Sequence, residues 1–119
     1  MSVKTALSTI WEGIKELFRS AFRFVKKVIK GILNFFKEVV QYFKSLSLNP
    51  KRDTPFIIDA KTLKEKIKNA PVEDVGIFEG VLREDEDQIT DVRAISADEL
   101  DEKTKEVLSK AEDGIVALS

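Results

Sequence analysis

Four consecutive acids, Glu84, Asp85, Glu86 and Asp87, make the densest cluster of potential ligands in the chain. Carboxylates packed this closely could hold a calcium ion or supply a general acid and a general base. A calcium loop needs alternating ligands, a glycine at its sixth position and a glutamate at its twelfth, and that spacing is absent here. Paired carboxylates do acid–base work when burial in a cleft separates their pKa values, whereas this run reads as a solvated turn between two strands. The 119 residues include no histidine and no cysteine, which removes the commonest general base, the commonest metal ligand and any thiolate nucleophile. No catalytic residue, metal ligand or cofactor site is therefore expected, and the chain reads as non-enzymatic.

The basic residues carry more information. Residues 1 to 52 hold eleven lysines and arginines against three acids, while residues 53 to 119 hold nine against eighteen. A net charge of −1 thus conceals a basic first half and an acidic second half. Such asymmetry points to a charged partner for one end, or to the two ends meeting within or between chains. Lys15, Arg19, Lys26, Lys30, Lys37 and Lys44 gather on one shoulder of a helical projection. Base stacking on nucleic acid needs aromatics interleaved with the cations, and here the aromatics fall on the opposite face, which argues against nucleic acid. Attraction to anionic headgroups or to an acidic protein surface fits better.

Those cations must be held by an element, and periodicity names it. Apolar residues recur in alternating steps of four and three from Leu7 through Trp11, Ile14, Phe18, Ala21, Val25, Val28, Ile32, Phe35, Val39 and Tyr42 to Leu46, the spacing of a helical stripe. Positions eighteen apart, five full turns, match in type: Leu7 with Val25 and Phe43, Ile14 with Ile32, Phe18 with Phe36. The stripe drifts as a straight helix requires, where a coiled coil would hold a repeat of 3.5. One amphipathic helix from Val3 to Leu46, about 65 Å long, is the expectation, with residues 1–48 as a unit of their own and 49–55 as a proline-bracketed linker. The remaining residues would form a body only about 25 Å across, too small to cover the helix. Its apolar face, Trp11, Ile14, Phe18, Phe22, Val25, Ile29, Ile32, Phe36, Val39 and Phe43, would need an external surface.

The acidic part, residues 56–119, reads as a small β-α-β-β-α-β domain, so the fold class is α+β. Asp59 is placed to cap a helix over "AKTLKEKIKN"; "VGIFEGVL" and "QITDVRAI" form a hairpin around the acidic turn; Ser96 and Glu99 suggest a capping box opening a second helix. Gly114 stops that helix before a last strand at "IVAL".

A structural, non-enzymatic assembly protein follows, in which the helix drives homo-oligomerisation or docking into a larger complex and the acidic domain serves as contact module. The other reading is a peripheral membrane protein, its helix lying in the interface of an anionic bilayer with the lysines toward the phosphates. Lys4, Glu12 and Lys15 interrupt any secretion signal, and nowhere do about 18 consecutive apolar residues occur, as crossing a bilayer requires. A cytoplasmic or membrane-peripheral location is expected rather than secretion.

Overall fold

The helical stripe breaks where β-branched residues become dense. In "VKKVIKGIL", residues 25 to 33, two valines and two isoleucines stand among three lysines and a glycine, and branching at Cβ favours a pleated strand over a helix. A computed structural model describes residues 3–20, 24–68 and 70–118, with side chains in the first helix from Leu7 onward. In it the expected rod is three elements: helix α1 (Val3–Arg19), strand β1 (Val25–Leu33), and a π-helical turn, Phe35–Val40, that runs into helix α2 (Gln41–Ser45). Gly31 sits at φ +116° inside β1, a conformation a helix interior cannot hold and side-chain-bearing residues rarely adopt. Asn34 caps the π turn by accepting from the Lys37 N–H at 3.0 Å. The single helix from Val3 to Leu46 is thus corrected.

The reason is energetic. A lone helix with half its circumference apolar has nothing in its own chain to pack against, and helices in folded proteins gain most of their stability from packing. Broken up, α1 and the π turn with α2 lay apolar side chains on a sheet, and β1 joins that sheet as a strand. The described chain measures 37 Å along its longest axis, little more than half the length of the expected rod.

The rest supplies that sheet. Strand β2 (Asp53–Asp59) leads into helix α3 (Ala60–Lys66), then β3 (Gly76–Arg83), β4 (Gln88–Leu100), helix α4 (Glu102–Leu108) and β5 (Ile115–Ala117). The five strands stand in the order β1-β4-β3-β2-β5. Strand β1 runs parallel to β4 and the other pairings are antiparallel, giving, among the described residues, an α+β fold of four helices and a mixed five-stranded sheet.

Details differ from expectation at two further places. The stretch expected to be a linker already contains the start of β2: the buried Asp53 accepts from the Asn49 N–H at 2.9 Å and pairs with Arg52 at 3.2 Å, closing a tight turn over residues 49 to 52. Ser96 does not open a helix. β4 continues through it to Leu100, because Ser96 is needed for pairing with Val28 on one side and Gly76 on the other. Asp101 caps α4 instead, accepting from the Thr104 N–H at 2.8 Å and from the Phe35 N–H at 3.0 Å. Burial opposes its charge, but these bonds and the Thr104 hydroxyl together hold its pKa below the ordinary 3.8. Removing the cap by Asp101→Ala should cost about 1–2 kcal/mol, read as a lower denaturant midpoint with an unchanged slope.

Two cores result, one on each face of the sheet. On the first, Leu7, Ile10, Trp11 and Ile14 of α1 pack on Phe56, Ile58, Phe78, Leu82 and Ile115. On the second, Leu33, Phe35, Val39 and Phe43 cover Ile57, Ile77, Val81 and Ile95. Gly76 lets β3 approach β4: a Cβ there would lie 2.1 Å from the Ile95 carbonyl oxygen, and φ is +155°. Gly76→Ala should therefore destabilise by about 2 kcal/mol through backbone strain, measurable as a lowered thermal midpoint.

Candidate functional site

Among the described residues, strand β1 lies at the edge of the sheet with β4 as its one strand neighbour, so one side of its backbone has no described strand partner. Its side chains are unusually wet for such residues: Val25 is 64%, Val28 75% and Ile32 57% exposed, with Phe36 at 58% just beyond its end. Lys26, Lys27 and Lys30 are interspersed with them and are exposed as well. The opposite edge, β5, is three residues long and offers little to pair with.

The residues expected to form one apolar face separate into two groups. Trp11, Ile14, Val39 and Phe43 are buried in the cores. Phe18 is partly buried, its ring 5.8 Å from those of Phe24 and Phe78, and Ile29 packs partly onto the second core. Val25, Ile32 and Phe36 remain on the surface, and Phe22 lies outside the described residues. The basic shoulder divides in the same way. Lys15 and Arg19 pair along α1 with Glu12 and Glu16; Lys26 and Lys30 stand on β1, Lys37 in the adjoining π turn and Lys44 on α2, all exposed.

Beneath the edge lies a charged row that periodicity did not reveal. Lys27 of β1 meets the buried Glu38 of the π turn at 2.7 Å. Arg93 of β4 donates from Nη2 to the Glu38 main-chain oxygen at 2.6 Å, and from Nε and Nη2 to Oε1 of Glu79 on β3 at 2.9 and 2.6 Å. The Tyr42 ring stacks 3.9 Å from the Arg93 guanidinium carbon, and its hydroxyl donates to the Asp91 carbonyl at 2.8 Å. Glu79 is wholly buried. Burial outweighs the attraction of Arg93 and pushes its pKa up to about 7. Burial, followed by the nearby Glu79 charge, likewise raises the Tyr42 hydroxyl.

A β-bulge aims this row. Glu79 pairs with Arg93 but Val81 pairs with Thr90, so β4 has one extra residue there, and Asp91 adopts φ +54°. The extra residue reverses the alternation of sides. Ile89 and Val92, three apart, both face the first core, which turns Arg93 to the second face, opposite Glu79. The sequence signal was present as a lone glutamate inside "GIFEGVL" and a lone arginine inside "TDVRAI"; that they sit across from one another depends on the bulge.

Conventional ligand-site features are sparse. The acidic run Glu84–Asp87 is the hairpin turn, exposed from Asp85 to Asp87, and among the described residues no group of three or more acids is arranged to hold a metal ion. A roomy concavity, about 720 Å³ between α2, α4 and β5, is an open groove lined by Phe35, Val40, Phe43, Leu48 and Val107 with Lys44 and Lys103 at its rim. It lacks the few convergent buried polar groups that orient a small-molecule substrate. No described helix is long and apolar enough to cross a membrane. Comparison of the chain with protein families, with characterised proteins and with solved structures finds no match.

Proposed function

We propose that this chain is a non-enzymatic docking protein whose β1 edge receives an extended, acidic segment of a partner protein as an additional strand. The observation that carries the reading is the nine-residue edge strand with Val25, Val28 and Ile32 exposed among lysines. Edge strands present unpaired N–H and C=O groups, and strand addition uses those groups for affinity and the alternate side chains for selection. The role expected for a long helix thus passes to β1, because the helical face is spent on the chain's own core.

Charge selects the occupant. Lysines on an edge usually protect a protein from pairing with its own kind. Two β1 edges set side by side would oppose six lysines, Lys26, Lys27 and Lys30 of each chain, and like charges directly opposite destabilise a strand pair. A strand alternating acidic and apolar residues meets no such repulsion. Laid along the edge, its acidic side would meet Lys26 and Lys30, which share one side of β1, and its apolar side would meet Val25 on the other.

The test uses a synthetic ten-residue peptide alternating glutamate and valine, its lysine–valine counterpart, and vesicles of anionic phospholipid. The acidic peptide should bind in the micromolar range, weaken with salt, and shift the amide resonances of residues 25 to 33. Val28→Glu combined with Lys30→Glu should abolish binding while changing stability by less than about 0.5 kcal/mol, as expected for exposed sites. Equal binding of both peptides, or vesicle binding without peptide binding, would overturn the reading, the latter in favour of a bilayer surface. Self-association through β1 in buffer would overturn it as well.

A further inference from the structure

Among the described residues, Glu79 Oε2 stands out as a buried side-chain oxygen with no hydrogen-bond partner. Its other oxygen takes both bonds from Arg93, and Arg93 in turn holds the main chain of the π turn whose Glu38 carboxylate holds Lys27. Four charged groups on four elements are therefore linked end to end, from the interior of β3 to the exposed edge. A carboxylate left half-satisfied in a low-dielectric site is costly while charged, and a proton removes the cost.

We propose that this row is a proton-operated latch: protonation of Glu79 frees the Arg93 guanidinium to pair with the Glu38 carboxylate, which releases Lys27 from Glu38 to the β1 edge. The consequence for binding rests on the reading of that edge as the docking strand; the exchange of partners does not. Each neighbouring element contributes a known group. Strand β4 brings Arg93 and Asp91, the π turn brings Glu38, α2 brings Tyr42, and β1 brings Lys27. From β2 the residue opposite Glu79 is the uncharged Ile57. Glu79 is thus the group whose proton changes the balance near neutrality, at about 7.

The direction follows from charge. With Glu79 ionised, Arg93 is committed to it and Glu38 is left to Lys27. With Glu79 neutral, the Arg93 guanidinium, already 2.6 Å from the Glu38 main-chain oxygen, turns to the carboxylate of that same residue, and Lys27, already half-exposed, turns outward. The edge gains a free cation at the lower pH and should hold an acidic strand more tightly there.

Two measurements on the full chain test this. In the free protein, carbon-detected NMR should place the Glu79 carboxyl midpoint near neutrality, and the Lys27 ammonium signal, visible while it is ion-paired, should fade on the same midpoint. In Glu79→Gln, a mimic of the neutral form, Lys27 should be released at every pH. Binding of the glutamate–valine peptide should then be about threefold to fivefold tighter at pH 6 than at pH 8, the worth of one partly exposed ion pair, and Glu79→Gln should bind tightly at both. Glu79 titration without any change at Lys27, or no titration of Glu79 between pH 5.5 and 8, would overturn the latch. Release of Lys27 with no peptide binding at any pH would leave the latch standing and refute the docking reading.

Discussion

Arg93→Ala should lower the stability of the folded chain by about 3–5 kcal/mol at pH 8 and by clearly less at pH 5. The figure at high pH is that of a buried pair broken from one side, which strands the remaining charge in the interior. Glu79 is that charge, wholly buried and dependent on Arg93 for both hydrogen bonds to Oε1. At pH 5 it already carries a proton, so the loss reduces to what Arg93 makes with Glu38 and to its contact with Tyr42. Urea melts of wild type and variant at the two pH values measure the difference, and an equal loss at both would contradict it.

The same group sets a pH dependence whose sign can be worked out. Its pKa is about 7 when folded, above the ordinary 4.5. Between those values the native chain holds a proton that the unfolded chain has released. The stabilisation is therefore complete below about 4.5 and is lost as pH rises through about 7, by about 3 kcal/mol in all. Asp53 and Asp101 work in the opposite sense. The Asn49 N–H holds Asp53 low against burial and with help from Arg52, and Asp101 is lowered as described above. What they contribute is lost as the solution becomes acid. The informative quantity is consequently the difference between wild type and Glu79→Gln, which should slope downward from pH 4.5 to 7 and be level outside that window.

Trp11→Ala should be as damaging, about 3–5 kcal/mol, the usual cost of deleting a large buried aromatic. Trp11 is 4% exposed, and its indole Nε1 donates to the Asp113 carbonyl at 2.7 Å. Its ring also lies against Gly114, whose φ of +82° forms the turn before β5. The residue therefore binds the first helix to the last strand across the whole chain. Trp11→Phe should recover much of the packing and leave the carbonyl without its donor, an intermediate loss of about 1–3 kcal/mol. Were Trp11 on a solvent-facing helix surface, either change would move the denaturant midpoint by less than about 0.5 kcal/mol.

Local chemistry was legible from the residues wherever it depended on near neighbours. Asp59 caps α3 through the Lys61 N–H, the acidic run turns the hairpin between β3 and β4, and Ile115 to Ala117 form a strand, because caps, turns and short apolar runs are decided within a few residues. The charge division between the halves was legible too. What periodicity alone could not decide was residues 25 to 33. Val25, Val28 and Ile32 keep helical spacing, yet the same residues are β-branched, and the choice falls to whichever backbone partner the rest of the fold supplies. Here that partner is β4, which draws Val25 onto Arg93 and Val28 onto Ser96. The pairing of Glu79 with Arg93 was beyond reach for a related reason. It depends on one extra residue at Asp91 reversing the sides of a strand, and register of that kind is set by the packed sheet as a whole.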